Sequence, residues 1–532
     1  MSSNQSKGIK PYLPGLAAVI AVALIAASLA LLWNSEAGVE IERNWLGPTP
    51  VTVYRPGNEP PIDAQDQAST VAGLPVVLIS HGFAGSTQLM ESYALALARS
   101  GYLAVSFDYF GHGRNLEPLR GDVMDVAGAT QFLLDQTRAV ADYALDLPGA
   151  GPDLAVLGHS MASDIIVRYA QSDPRVQATV ALSLFSPAVT AETPDNLLVL
   201  VGDLEGRLKG EALRVIGLVS DEPEAGVTYG RFENGNARRA AFPPGVEHVG
   251  ILYSPTALRE SVDWLNQTFD RDAPPQTDPV NARGPAIVLL LLGVLLLAWP
   301  LSHLLPRTVN GAFGLNPRWR ELLPAALIPA VLTPVLLVAF PADFMGILVG
   351  GYLAVHFALY GLLTAIACLW IRHRRGDRHA PESGGRRIGP ALLAAAAASL
   401  YAAGAIGLAM DQFVTSFAVT GPRLPLLVLM LGGTLAYFLA DEWLTRGPDV
   451  PRGTHLLTRV CFLFSLGLAV VLSFQELFFL LIIAVVIIPY FLIYGLFSSW
   501  IYKATGDPLV SALPSAAAFG WTLAVVFPQL AG

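Results

Sequence analysis

The stretch LAVLGHSMASDII, residues 154–166, places a serine between a short apolar run and a segment with helical periodicity. Ser160 therefore lies at the carboxyl end of a predicted strand, in a strand–turn–helix setting. Gly158 and Ala162, two residues before and after it, are small, as a tight turn requires where a strand and a helix approach each other. The pattern indicates a nucleophile elbow, with alanine where a second glycine is more common. The alternative is a serine that caps the N-terminus of a helix.

Short apolar runs and helical patterns alternate on both sides of this stretch. Strands are predicted in PVVLISH (75–81), YLAVSFDYFGHG (102–113), DLAVLGHS (153–160), VQATVALSLFSP (176–187) and NLLVLVGDLEG (196–206). Helices are predicted in ESYALALARSG (91–101), DVAGATQFLLDQTRAVADYAL (125–145), MASDIIVRYAQ (161–171) and TALRESVDWLNQTF (256–269). This alternation predicts a mostly parallel sheet with helices on both faces and a site at the carboxyl ends of the strands. Residues 204–245 are expected to form loops or a partial lid.

The whole chain of 532 residues is too apolar for an ordinary soluble protein, with 53% hydrophobic and only 14% charged residues. Residues 12–33 form one uncharged run that is long enough to cross a bilayer, and we interpret them as a retained anchor, with a signal peptide as the alternative. The predicted domains are a cytoplasmic N-terminus (1–11), this transmembrane anchor (12–33), an extracytoplasmic domain (34–283) and an all-α transmembrane helix bundle (284–532). About eight helices are expected in the bundle, at 286–305, 323–340, 345–371, 388–410, 424–443, 456–474, 477–500 and 508–529.

The charges of the connections predict the orientation in the membrane. Arginine is abundant in alternate connections, at 306–320, 372–387 and 445–459, and positive charge is almost absent from 341–344, 411–423 and 475–476. Because positive residues accumulate on the cytoplasmic side, residues 34–283 are expected outside the cytoplasm. Lys7 and Lys10, before the first apolar run, predict the same orientation.

Other features limit the classes of function. The formal net charge of −9 argues against nucleic acid as a partner. Cys368 and Cys461 both lie in apolar segments, so they offer no disulfide framework to the soluble domain. His356 is the one histidine well inside a predicted span, and we expect it to bond to a neighbouring helix. No motif in the second half identifies a transport activity.

A serine nucleophile needs a base, and the base needs an orienting acid. His248, in GVEHVGILYSP, follows the last strand signals and precedes the final helix of the soluble half, which is where this chain order would place the base. Asp203 and Glu205, in GDLEG, both follow a strand, and either could bind the imidazole. The oxyanion hole should use the backbone N–H groups of Met161, after the nucleophile, and Phe83, in the loop after an earlier strand.

These motifs together resemble the α/β-hydrolase superfamily, and within it the branch of dienelactone hydrolases and polyester cutinases, over roughly residues 50–270. HGFAGS is similar to the oxyanion loop of that branch, GHSMA to its elbow, VGDLEG to its acid turn and EHVGILYSPTALRESVDWLNQTF to its histidine loop and closing helix. The resemblance places the acid at the residue after leucine, which is Glu205 here, although the branch usually has aspartate there. It also implies that His112, in DYFGHGRN, belongs to a structural loop.

The expected fold class is therefore an α/β-hydrolase sandwich fused to a transmembrane helix bundle. The expected function is a membrane-integrated serine hydrolase that cleaves an ester or thioester of a small-molecule or lipid-like substrate, without a metal or organic cofactor. The alternatives are an acyltransferase with the same triad, and a transporter or signalling module with a hydrolase-like sensor domain. Replacement of Ser160 separates the last alternative from the others, because a sensor would not need a nucleophile.

Overall fold

The computed structural model describes residues 12–57, 73–123, 125–311, 313–340, 344–375 and 385–531. The predicted cytoplasmic N-terminus (1–11), with Lys7 and Lys10, lies outside the described residues. Parts of the connections at 341–344 and 372–387 also lie outside them.

One nine-stranded sheet organises the first half of the chain. Its strands are β1 (Val39–Leu46), β2 (Thr49–Pro56), β3 (Leu74–Ser80), β4 (Leu103–Phe107), β5 (Ala150–His159), β6 (Val176–Leu182), β7 (Leu197–Leu200), β8 (Thr228–Tyr229) and β9 (Arg238–Ala241). The order is β1-β2-β4-β3-β5-β6-β7-β9-β8. The six central strands, β4, β3, β5, β6, β7 and β9 in this order, run parallel to one another. The β1–β2 hairpin at one edge and β8 at the other edge pair antiparallel with their neighbours. The predicted mostly parallel sheet is therefore confirmed.

Helices cover both faces of this sheet. They are α2 (Glu91–Arg99), α3 (Gln131–Leu145), α4 (Met161–Ser172), α5 (Gly206–Ile216), α6 (Pro255–Thr268) and the short α7 (Asp278–Asn281), whereas α1 (Leu13–Glu36) precedes the sheet and packs with the second half of the chain. Along β3, Val77 and Ile79 pack in one core with α2 and α6, while Val76 and Leu78 pack in another with α3, α4 and α5. The strands are thus buried on both faces, as their continuous apolar runs predict.

The expectation that residues 204–245 form loops or a partial lid is wrong for much of the segment. The segment contains α5, the edge strand β8 and the parallel strand β9. The reason is the apolar face of α5, with Ala212, Val215 and Ile216 buried against the sheet. A two-turn stripe of this kind is short, and its tertiary partner cannot be read from the sequence.

The second half is a bundle of long apolar helices. They are α8 (Arg283–Ser302), α9 (Trp319–Leu336), α10 (Gly350–Arg375), α11 (Ile388–Ser399), α12 (Ile406–Phe413), α13 (Leu424–Thr445), α14 (Thr454–Leu472), the short α15 (Phe474–Leu477), α16 (Leu480–Thr505) and α17 (Pro508–Val526). A wide turn at Leu400–Ala405 joins α11 and α12 into one segment. Within the described residues, α1 and eight segments of this half are long and apolar enough to cross a membrane, by length and composition. His356 is buried, and its Nε2 lies 3.1 Å from Ser465 Oγ on α14, so the expected neighbour contact is present.

Buried arginines join the sheet domain to the bundle. Arg283, at the start of α8, contacts Ser35 Oγ of α1 at 3.0 Å and forms an ion pair with the carboxylate of Glu91 on α2. Arg423, before α13, donates to the carbonyl of Gly111 at 2.8 Å. Buried charges of this kind are costly unless they are paired or hydrogen-bonded, so these contacts fix how the two halves meet.

Candidate active site

Ser160 occupies a strained turn between β5 and α4. Its φ of 56° and ψ of −117° are unusual for a residue with a side chain, and such a conformation costs about 1–3 kcal/mol. Its N–H donates to the carbonyl of Leu182 on β6 at 2.9 Å, and its carbonyl accepts from the Ser163 N–H at 2.8 Å. A Cβ at Gly158 would lie 2.9 Å from the carbonyl oxygen of Ala162, so the small residues of the motif permit the close approach of strand and helix.

His248 binds the hydroxyl of this serine. Its Nε2 lies 2.8 Å from Ser160 Oγ. The histidine is in the loop between β9 and α6, 88 residues after the serine, and its side chain is partly exposed. The distance is within the range at which a general base can take a hydroxyl proton.

Glu205, and not Asp203, meets the other side of the imidazole. Glu205 Oε1 lies 2.5 Å from His248 Nδ1. The Glu205 side chain is 7% exposed, whereas that of Asp203 is 47% exposed and forms an ion pair with Lys209 Nζ at 2.7 Å. Of the two carboxylates that the sequence left open, the structure therefore brings Glu205 to the histidine.

Two neutral donors hold the second carboxylate oxygen of Glu205. Its Oε2 accepts from Ser183 Oγ at 2.7 Å and from the N–H of Gly202 at 2.8 Å. Burial acts to raise the pKa of Glu205, but hydrogen bonds from His248, Ser183 and a backbone N–H outweigh it and keep the pKa below its ordinary value. The carboxylate is therefore ionised at neutral pH and can orient the Nδ1–H tautomer of the imidazole.

His159, directly before the serine, supports the histidine loop. Its Nε2–H donates to the backbone carbonyl of His248 at 2.8 Å, and the two rings lie 4.7 Å apart. Burial, and then the proximity of His248, lower the pKa of His159 to about 3, so its ring is neutral at neutral pH. Sequence reasoning noted this residue only as part of the motif, since its partner lies 89 positions away.

The positions expected to form an oxyanion hole flank Ser160. Met161 is the first residue of α4, whose N-terminus carries a partial positive charge. Gly82, before Phe83, packs so closely that a Cβ there would lie 3.0 Å from Ser160 Cβ. Across the described part of the chain, the N–H groups of Phe83 and Met161 have no hydrogen-bond acceptor. Two free donors at this position suit a developing oxyanion.

The bundle contributes to the loop that carries Phe83. Ser86, at the end of this loop, lies with its Oγ 3.1 Å from Thr415 Oγ1, and it accepts from the N–H of Ser416 at 2.9 Å. The Phe83 ring stacks on Phe479 with centroids 5.1 Å apart. The sequence carries no signal for these contacts, because more than 300 residues separate the partners.

The other two histidines of the sheet domain hold loops together. His81 Nε2 accepts from the N–H of Tyr109 at 3.1 Å. His112 Nδ1 bonds to the carbonyl of Phe110 at 2.9 Å, as the structural-loop interpretation predicts. Burial lowers the pKa of both rings, that of His112 to about 3.

One group of residues in the bundle has the composition of a metal site. Ligand atoms of Asp441, Glu442 and His455 lie within 4.8 Å of one another. However, Asp441 pairs with Arg459 at 3.0 Å and Glu442 with Arg446 at 2.8 Å. Because guanidinium groups already neutralise both acids, the arrangement fits an ion-pair network better than a cation site.

Comparisons with known proteins locate the likeness in the sheet domain. A family model described as serine aminopeptidase, S33, matches residues 74–224, which include Ser160 and Glu205 but end before His248. A non-heme chloroperoxidase of Streptomyces lividans is 35% identical over 135 residues, and a monoacylglycerol lipase of Mycolicibacterium smegmatis is 31% identical over 134. Each alignment covers 25% of this chain and 45% of the relative, so the chain spans less than half the length of the curated relatives it matches.

Solved structures with a similar fold include the methylesterase BT1017, with a TM-score of 0.33 and 15% identity over 51% of this chain and 68% of that one. A membrane phospholipase A has a TM-score of 0.31 and 14% identity over 49% of this chain and all of that one. These scores are low, so the fold assignment depends on the sheet order and the family match. The resemblance to the branch of dienelactone hydrolases and cutinases stays a prediction. Together, the mostly parallel sheet, its helices on both faces and the family match show that the first half of this chain contains an α/β-hydrolase domain.

Proposed function

We propose that this protein is a membrane-integrated serine hydrolase that cleaves carboxylic ester or thioester bonds outside the cytoplasm. The observation that carries the proposal is the continuous chain of hydrogen bonds from Ser160 through His248 to Glu205, which starts at a strained serine. Strain at such a position persists only where the surrounding structure enforces it, and it is common at functional sites.

In the first half of the reaction, Ser160 Oγ attacks the carbonyl carbon and His248 Nε2 takes the hydroxyl proton. Glu205 accepts the Nδ1–H bond and stabilises the imidazolium ion that forms. The N–H groups of Phe83 and Met161 bind the oxyanion of the tetrahedral intermediate. When the intermediate collapses, the bond from the carbonyl carbon to the leaving oxygen or sulfur breaks, and His248 protonates the departing alcohol or thiol.

In the second half, water attacks the acyl group on Ser160, and His248 takes a proton from this water. When the second tetrahedral intermediate collapses, the bond from the carbonyl carbon to Ser160 Oγ breaks, His248 returns the proton to Oγ, and a carboxylic acid is released. None of these steps requires a metal or an organic cofactor. Transfer of the acyl group to an alcohol acceptor would use the same residues with that alcohol in place of water.

The surroundings of the three residues support an ester with an apolar part. Three large apolar side chains with high exposure are close in sequence to residues of the site. Phe185 is near Ser183, the hydroxyl donor to Glu205, while Leu204 precedes Glu205 and Val249 follows His248. The names of the relatives cover more than one reaction, but one of the two is a lipase that acts on monoacylglycerol. Exposed apolar side chains of this kind would suit a lipid-like acyl ester more than a peptide or a charged substrate.

The proposed topology follows from charge and helix positions. Residues 12–33 are a membrane anchor, residues 34–283 an extracytoplasmic hydrolase domain, and residues 284–532 a transmembrane domain of eight helices. The arginine-rich connections at 306–320 and 445–459 support a cytoplasmic location for those ends of the bundle. In this arrangement the proposed nucleophile, Ser160, lies on the outer side of the membrane.

The proposal is tested by hydrolysis of p-nitrophenyl butyrate with the purified full chain, with Ser160→Ala and with Ser172→Ala. Ser172 lies at the far end of α4 and is the matched serine control, because its hydroxyl has the Tyr169 carbonyl as its one hydrogen-bond partner among the described residues. We expect Ser160→Ala to lose at least about 10³-fold in kcat while Ser172→Ala keeps the wild-type rate. In ¹⁸O-labelled water, incorporation of one ¹⁸O into the acid identifies hydrolysis. Equal activity of Ser160→Ala and wild type would contradict the proposal.

A further inference from the structure

Four phenylalanine rings form a continuous series from the Ser160 site to the surface of the helix bundle. Phe83, whose N–H is proposed to bind the oxyanion, stacks on Phe479 at a centroid distance of 5.1 Å. Phe479 contacts Phe478 at 5.7 Å, and Phe478 contacts Phe474 at 5.7 Å. We call Phe83, Phe479, Phe478 and Phe474 the aromatic track.

Burial decreases along the aromatic track. Phe83 and Phe479 are partly buried, Phe478 is 41% exposed and Phe474 is 57% exposed. The outer two rings lie at the α14–α16 junction, next to Gln475 and Glu476. This connection has no positive charge and belongs to the extracytoplasmic end of the bundle in the proposed topology. The track therefore leads from the candidate nucleophile to a surface that would face the outer leaflet.

Contact between the two domains explains only part of this arrangement. The Phe83–Phe479 stack, together with the Ser86 contacts to Thr415 and Ser416, fixes the loop against the bundle. Neither the Phe478 ring nor the Phe474 ring contacts an aromatic ring of the sheet domain among the described residues. These two exposed rings therefore extend the partly buried stack as an apolar surface.

We propose that the aromatic track binds the acyl chain of a long-chain ester lipid, which reaches Ser160 laterally from the outer leaflet of the bilayer. This inference rests on the proposed function, since it assigns the substrate class of the same site. An acyl chain of a resident lipid already lies in apolar surroundings at the level of Phe474, and its ester group lies near the membrane surface. Movement along the rings brings the carbonyl to Ser160 without passage of the chain through water. The membrane half then determines specificity for the hydrolase half.

The test is the chain-length dependence of hydrolysis by the full-length protein in nanodiscs. The substrates are p-nitrophenyl acetate, butyrate, octanoate and dodecanoate. Each methylene that becomes buried on the rings should raise kcat/KM by up to about fourfold. The variants are Phe478→Ala and Phe474→Ala, which alter exposed positions, and Phe479→Ala. Phe464→Ala is the matched control, because Phe464 is an exposed phenylalanine of α14 that makes no ring contact in the described structure.

We expect kcat/KM of the wild type to rise with chain length, and the dodecanoate-to-acetate ratio to fall at least about tenfold in Phe478→Ala and Phe479→Ala. Phe478→Leu should recover part of the ratio, and Phe464→Ala should keep the wild-type ratio. Equal losses for all four esters, or an unchanged ratio in all track variants, would overturn the inference and leave the proposed function intact. If the wild type cleaves none of the four esters, the proposed function fails and this inference fails with it.

Discussion

The hydrolase domain and the helix bundle each contain a histidine beside a buried glutamate, and the two pairs differ in their other partners. In the hydrolase domain, Glu205 meets His248 at 2.5 Å, and among the described residues its second oxygen accepts from Ser183 and a backbone N–H alone. Its negative charge is therefore directed at the imidazole. The imidazole in turn contacts the Ser160 hydroxyl, which has no other hydrogen-bond partner in the described structure.

In the bundle, Glu442 lies 3.9 Å from His455, but Arg446 neutralises it at 2.8 Å. The hydroxyls of Ser498 and Ser511 also donate to Glu442, at 2.5 and 3.2 Å, so they are held as donors and not presented as nucleophiles. The same residue types thus form a hydrogen-bonded chain that ends at a serine hydroxyl in one region and a packed ion-pair network in the other. The two histidine–glutamate pairs differ in whether an arginine already neutralises the carboxylate.

The largest effect is expected from removal of the charge in the hydrolase pair. Glu205→Gln should lower kcat by about 10³–10⁴-fold, because an amide neither stabilises the imidazolium ion nor enforces the Nδ1–H tautomer. Asp203→Asn, two residues away and paired with Lys209, should change kcat by less than about threefold. Steady-state hydrolysis of p-nitrophenyl butyrate measures both. If Asp203→Asn is the more damaging variant, the assignment of Glu205 as the orienting acid is wrong.

The matching change in the bundle should affect stability instead. Glu442→Gln leaves Arg446 without its buried carboxylate, and loss of one partner of such a pair costs about 3–5 kcal/mol. Thermal unfolding in detergent should show a lower midpoint, while the specific activity of the folded fraction stays within about threefold of wild type. A variant with normal stability but no activity would show that this network is functional, contrary to the comparison.

Acidic pH should weaken the hydrolase domain through His159. Its folded-state pKa of about 3 lies below the ordinary value of 6.5, so the unfolded chain takes up the proton first. The stabilising contribution is full above pH 6.5 and is lost progressively as the pH falls towards 3. The unfolding midpoint of wild type should therefore fall over this window. In His159→Leu the fall should be smaller, and kcat should be about tenfold lower because the His248 carbonyl loses its donor. Parallel pH curves for the two proteins would contradict this role.

The smallest effect concerns the joint between the two regions. Ser86→Ala removes the contacts with Thr415 and Ser416 but keeps the loop sequence around Phe83. A typical hydrogen bond contributes about 0.5–1.5 kcal/mol, so kcat should fall about two- to tenfold with little change in KM. Ser92→Ala is the control, because the hydroxyl of this buried serine on α2 has no hydrogen-bond partner in the described structure. Equal rates for both variants would show that the bundle does not position the loop.

The sequence was sufficient to predict features that a short motif or a long apolar segment encodes. The strand–turn–helix setting of Ser160, the late loop position of His248 and the apolar helices, nine of them among the described residues, all follow from local signals. The choice between Asp203 and Glu205 as the partner of His248 required tertiary information, because both residues lie in one turn. In the structure Asp203 pairs with Lys209, whereas Glu205 accepts from the Gly202 N–H. Helix α5 was missed because its apolar stripe is short.

The contacts of the joint had no signal in the sequence. The Ser86–Thr415 and Phe83–Phe479 pairs bring together residues more than 300 positions apart, and each residue looks ordinary in its own segment. Their role follows only from the packing of the two halves.

The most direct test of the central claim is fluorophosphonate labelling of intact cells or right-side-out vesicles that contain wild type or Ser160→Ala. An activated serine outside the cytoplasm predicts labelling of wild type without permeabilisation and none of Ser160→Ala. Folded wild type that remains unlabelled even after detergent treatment would contradict an active Ser160–His248–Glu205 site. Labelling that requires permeabilisation would instead contradict its location outside the cytoplasm.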